Sequence, residues 1–242
     1  MTVFYSIAGY HARMLRRSHA GAGVLLLALA IPAAAHAVPM LQPLKPCYVT
    51  AQTGSGPQSE GMQVTAAGFT PNSKVDLTID GAPYPGGANL QIGATGELLL
   101  PGPVPAPFVR AGSRPFTVTL TEQGNPASTV SATAKSTALG VTVDPSSAAP
   151  SAKVRFEGLG FTADGPIYAH YLRKGKLRKT VRMARAPIDC GGFSTRRRQI
   201  PIKDPHLGRW IVQFDQSKKL VDPTAAGIVY VRLGIRVRLV PR

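Results

Sequence analysis

The side chains of this 242-residue chain best placed to bind something are cations. In Leu177-Arg178-Lys179-Thr180-Val181-Arg182-Met183, an extended strand would set Arg178, Thr180 and Arg182 on one face and Leu177, Val181 and Met183 on the other. Arg236 and Arg238 alternate in the same way with Ile235, Val237 and Leu239. Arg173, Lys174 and Lys176 flank Gly175 at an expected hairpin, and Arg196-Arg197-Arg198 lie nearby in sequence. Side chains on neighbouring strands stand about 5 Å apart, and screening at physiological salt reaches only ~8 Å. Cations gathered on one sheet face therefore repel unless an anion or solvent screens them. Arginine's fork donates two bonds at once to a phosphate or carboxylate. Arg173, Lys174, Lys176, Arg178, Lys179, Arg182, Arg236 and Arg238 are accordingly the expected polyanion-binding residues. With only Tyr168, Tyr171 and Phe193 interleaved, base stacking has few platforms, and no specific nucleic acid is expected.

Other chemistries find little footing. Beyond residue 37 the only histidines are His170 and His206, with no cysteine or carboxylate at metal-ligand spacing, so no metal site is expected. His170, inside Tyr168-Ala169-His170-Tyr171, reads as a structural histidine held by partners. Asp76 and Asp80 share a strand face as solvated decoration, without the partners and cleft that paired acids need for sugar hydrolysis. Neither a nucleophile elbow nor a phosphate-cradling Gly-x4-Gly-Lys loop occurs. The chain is expected to be no enzyme and to need no cofactor. Cys47 and Cys190 are the only cysteines, and in an exported chain they are expected to form one disulfide.

Export is read from the N-terminus. Arg13, Arg16 and Arg17 precede an apolar run from Gly21 to Ala35, and Ala35-His36-Ala37 offers small residues to a signal peptidase. That run is too short for a bilayer span of around 20 residues, so residues 1–37 are expected to be a cleaved signal peptide, with no transmembrane anchor afterwards. Translation from Met14 in place of Met1 would leave the leader complete. Ser18-His19 after Arg16-Arg17 departs from a twin-arginine pattern.

The remaining elements must hold the cations in place. With 25 glycines and 22 prolines, neither a coiled coil nor a helical bundle fits. Short alternating runs separated by turn residues every 8–12 positions read as an all-β sandwich pattern. Expected strands include Met62–Phe69, Lys74–Asp80, Thr129–Ala134, Lys153–Phe161, Leu177–Ala184 and Arg209–Gln216, with Trp210, Val212 and Phe214 filling a core. Gln63–Thr70 repeats as Arg155–Thr162 at an offset of 92 residues, each carrying Gly-Phe-Thr. A period near 92 suits a whole sandwich module of around 100 residues.

Gly68-Phe69-Thr70-Pro71-Asn72-Ser73, and less fully Gly160-Phe161-Thr162-Ala163-Asp164-Gly165, resemble the Gly-Phe-Thr-Pro-x-Ser segment of immunoglobulin-like modules in secreted bacterial surface proteins. The resemblance implies a sandwich with a binding or spacer role, and it transfers no catalytic residue. Two tandem domains are expected, 38–138 and 139–242. The first carries five basic residues (Lys45, Lys74, Arg110, Arg114, Lys135) against five acidic ones (Glu60, Asp76, Asp80, Glu97, Glu122). Of the chain's 28 basic and 12 acidic residues, 20 and 7 fall in the second, a net charge of +13. The expected function is an exported, non-enzymatic envelope or extracellular protein whose basic domain binds an anionic wall polymer or anionic lipid surface. The alternatives are a structural or protein-binding module pair with incidental charge and, third, a carbohydrate-active enzyme.

Overall fold

A computed structural model of the chain describes residues 38–53, 55–161, 164–187, 190–222 and 230–238. The expected signal peptide and the tail from Leu239 lie outside them. The described chain is all-β. Its N-terminal half comprises β1 (Met40–Leu41), β2 (Cys47–Thr53), β3 (Gly56–Ser59), β4 (Gly61–Met62), β5 (Thr65–Ala67), β6 (Lys74–Ile79), β7 (Ala82–Pro83), β8 (Leu90–Gln91), β9 (Leu98–Leu99), β10 (Val104–Pro105), β11 (Ser113–Glu122) and β12 (Asn125–Ala138). The C-terminal half adds β13 (Gly140–Asp144), β14 (Lys153–Leu159), β15 (Gly165–Arg173), β16 (Lys176–Ala186), β17 (Phe193–Arg198), β18 (Gly208–Asp215) and β19 (Tyr230–Val237).

The internal repeat reappears in the topology. A three-stranded sheet β1-β5-β9 has its counterpart in β13-β14-β17, and the path β7-β6-β11-β12 in β16-β15-β18-β19. The N-terminal half widens its larger sheet with β2 and β3 beyond β12 and adds a small β10-β4 pair. Period-two alternation drives the burial. In β6, Val75 and Leu77 are buried; in β14, Val154 and Phe156 are buried between exposed Lys153, Arg155 and Glu157. The apolar core accordingly divides in two. One cluster gathers around Tyr48, Met62, Phe69, Leu77, Phe116 and Leu120, the other around Phe156, Phe161, Tyr171, Trp210, Val212 and Phe214. Trp210 also donates its indole N–H to the His206 carbonyl at 2.9 Å.

Both Gly-Phe motifs do the same structural job. Gly68 and Gly160 sit at φ 88° and 82°, in the left-handed region open to glycine. A Cβ there would stand 2.7 Å from the Val38 carbonyl oxygen in one half and 2.7 Å from Leu139 Cα in the other. Each glycine thus lets the incoming first strand of its half cross close by, and Phe69 and Phe161 follow into the two cores, both 3% exposed.

The chain departs from simple alternation in three places. The expected strand Met62–Phe69 is split, because Met62 pairs with Val104 whereas Thr65–Ala67 pairs with β1 and β9. The expected strand Thr129–Ala134 runs on to Ala138, because Lys135–Ala138 gains a second partner, lying parallel to Cys47–Thr50. β12 thus ends at Ala138, where the first expected domain ends, and β13 begins at Gly140. The third departure is in β16, where the register against β15 shifts between Tyr171 and Leu172 and between Ile167 and Tyr168. These bulges put Leu177 opposite Leu172, on the same face as Thr180 and Arg182, not on the core face as alternation predicts.

Cys47 and Cys190 form a disulfide with their Cα atoms 5.6 Å apart. One sulfur opens β2 beside the junction, and the other, on a residue at φ 64°, precedes β17. The bridge ties the two halves where the chain passes between them.

A candidate anion-binding surface

The outward face of the sheet β16-β15-β18-β19 is ordered in rows, because directly paired residues share a face. One row runs Arg182, Tyr168, Asp215, Tyr230, and the next Thr180, His170, Gln213, Arg232. A third runs Leu177, Leu172, Ile211, Gly234, and beyond it Arg209 faces Arg236.

The second row is a buried polar network. His170 Nε2 donates to Asp215 Oδ1 and to the Ser217 carbonyl, both at 3.1 Å, with the Thr180 hydroxyl 2.9 Å from Nδ1. Gln213 donates to Asp215 Oδ2 at 3.1 Å and to the Val221 carbonyl at 2.9 Å, and accepts from Arg232 Nε at 2.9 Å. Ser217 N–H closes onto Asp215 Oδ1 at 2.9 Å. His170, Gln213 and Asp215 are fully buried beneath residues 217–221, which fold back as a strap. His170 is thus a partnered structural histidine. Nothing in the chain's local pattern singled out Asp215, because its partner lies 45 residues away.

The strap divides the expected cations. Arg182 and Arg236 share a face, but β15 and β18 separate them, and the hydrogen-bonded network lies between their rows. Arg238 follows Val237 at the β19 edge, exposed. Arg173, Lys174 and Lys176 surround the β15–β16 turn, where Arg173 Nη2 donates to the Leu207 carbonyl at 2.9 Å. That contact brings the turn beside Arg209 and so towards Arg236. Arg178 lies at the bulge, while Lys179 reaches from β16 past the end of β17 to the Pro201 carbonyl at 2.7 Å.

β16 and β17 come close where the two sheets meet, and Arg178 and Arg182 on one and Arg196–Arg198 on the other are all exposed. On β14, Lys153 directly faces Arg198 and Arg155 faces Arg196. Alternation along β14 marks Lys153 and Arg155 as outward; their pairing across to β17 depends on a register that no local pattern states. Among the described residues, none of the eight expected cations stands in a salt bridge. Arg155 meets Glu157 at 3.5 Å. Arg185 grips Asp164 through two bonds of 2.9 Å, which hold that carboxyl below the usual carboxylate range. Arg185 is thereby committed to its own strand neighbourhood.

Elsewhere, an apolar groove of about 670 Å³ lies at the junction, lined in part by Leu139, Val141, Leu159 and Phe193. Among the described residues no three potential metal ligands converge, and no helix is long and apolar enough to cross a membrane.

No family model and no curated protein matches this chain. Among solved structures, a tetra-tandem repeat from the extending region of a large adhesion protein is similar over 78% of this chain at 15% identity and a TM-score of 0.28. This chain spans about half of that one, 48%. The titin Ig tandem domains A164-A165 overlap 83% of this chain and 95% of their own, at 12% identity and a TM-score of 0.25. A Parabacteroides merdae beta-glucuronidase overlaps 82% of this chain and 24% of its own, at 9% identity and a TM-score of 0.22. Overlaps this loose assign neither a family nor an activity.

Proposed function

We propose that the protein is an exported, non-enzymatic component of the cell envelope or its surroundings. In this reading residues 1–37 are a cleaved leader, and 38–138 and 139–242 are two tandem immunoglobulin-like domains, the second of which binds an anionic envelope polymer. One observation carries the binding reading. Lys153 and Arg198, and Arg155 and Arg196, stand directly opposite one another on adjacent strands. Like charges so placed destabilise a sheet, and a chain of phosphates or uronates laid along β14, β17 and β16 would relieve the repulsion. The neutral N-terminal half serves as spacer.

The test is co-sedimentation of the purified protein with a glycerol-phosphate polymer and with a polyuronate across a salt series. If about four charges are neutralised, affinity for the phosphate polymer should fall roughly a hundredfold between about 50 and 200 mM salt. The triple variant Arg155→Gln, Arg196→Gln, Arg198→Gln should weaken binding and flatten that slope. Absent or salt-insensitive binding to both polymers would overturn the reading.

A further inference from the structure

A second cationic place differs in kind from the polymer strip. A cleft of about 480 Å³ opens between the β15–β16 turn and the start of β18. Its floor is apolar, formed by Leu172 and Ile211 facing each other in register, and Leu207, 47% exposed, stands at its side. Leu177, 45% exposed and opposite Leu172, prolongs the floor onto β16. The rim is cationic, with Arg173, Lys174 and Arg209 lining the cleft and Arg236 in register beside Arg209. Among the described residues no carboxylate lines it.

The turn that carries part of this rim is built at a conformational cost. Lys174 and Gly175 have φ 48° and 73°, as a two-residue hairpin with both central residues left-handed requires. Asn or Gly adopts the first of these positions more readily than lysine does.

A hydrated polyanion gains nothing from Leu172, Ile211 and Leu207, and neither does a free inorganic anion. A molecule with an anionic head and a hydrocarbon stem uses both parts. We infer that this cleft holds the phosphate headgroup of an anionic lipid, its phosphate met by Arg173, Lys174 and Arg209 and its first methylenes laid on the leucine–isoleucine floor. The cleft shares no residue with the β14–β17 strip, so the inference stands apart from the polymer reading.

Each methylene buried on the floor should strengthen binding about fourfold. The experiment titrates the full-length protein with inorganic phosphate, dibutanoyl phosphatidic acid and dihexanoyl phosphatidic acid, each below its micelle concentration. Affinity should rise from phosphate to the dibutanoyl and again to the dihexanoyl lipid, at least tenfold overall. Leu207→Ser should remove most of that rise, and Arg209→Gln should weaken both lipids at least tenfold. The Arg155, Arg196 and Arg198 triple variant should bind them within twofold of the parent. Should Arg209→Gln fail to fold, Lys174→Asn, which suits the turn better, should keep the thermal midpoint and still weaken the lipids. Equal affinity for phosphate and both lipids, or loss of lipid binding through the strip variant alone, would overturn the inference.

Discussion

At the residue scale, Glu122 shows how a motif read for its shape also carries charge. Burial would raise its carboxyl, but the Thr70 and Ser128 hydroxyls and the Thr70 backbone amide outweigh it and hold the group below the usual carboxylate range. Thr70 belongs to Gly68-Phe69-Thr70-Pro71-Asn72-Ser73, so that segment supplies donors to the end of β11 as well as a bend. A carboxyl whose folded value is depressed contributes stability above the ordinary carboxylate range and loses it as pH falls through the folded value. Glu122→Gln should therefore cost about 1–2 kcal/mol at neutral pH, and its melting curve should converge on the parent's in acid. Thermal melts of both proteins between roughly pH 3 and 7 check this; a gap that persists unchanged into acid would contradict it. The glycine and phenylalanine of the motif were legible in the sequence, because positive φ and core burial follow from residue type. The acidic partner was not, since it lies 52 residues beyond Thr70.

At the scale of elements, strand faces could be read wherever pairing stayed regular. Val154 and Phe156 of β14, and Trp210, Val212 and Phe214 of β18, turn inward as alternation predicts. β16 defeated the same logic, because a bulge adds a residue on one strand only and moves Leu177 to the outward face. The strap was equally hidden, for its hold on the sheet depends on Asp215 accepting from His170, Gln213 and Ser217. Asp215→Ala would leave those donors buried without their acceptor, at about 3 kcal/mol. Amide hydrogen exchange across residues 217–221 should then rise well before the core strands lose protection. Uniform acceleration over the whole C-terminal half would show that the network supports the fold at large and does not pin the strap in particular.

For the molecule as a whole, the charge asymmetry was fully legible, because it is arithmetic. The division of the cations between a strip and a cleft was not, because it follows from sheet order. The cysteine pairing was legible only by elimination; the structure adds that it clasps the junction. A loop of 143 residues closed by the bridge should stabilise by roughly 5 kcal/mol on the chain-entropy account. Denatured, unreduced protein should show no reactive thiol, and reduction should lower the denaturation midpoint; two free thiols would contradict the bridge. Its position also decides how the protein would bear tension. Stretched between Val38 and Arg238, the backbone would hand force at Cys47 directly to Cys190, leaving everything between them slack. Most of the N-terminal sandwich would then be shielded from load, and only β17 to β19 and the short lead-in before Cys47 would be left to unravel. Oxidising conditions would thus set the extensible length of this chain, and reducing ones would release some 500 Å more.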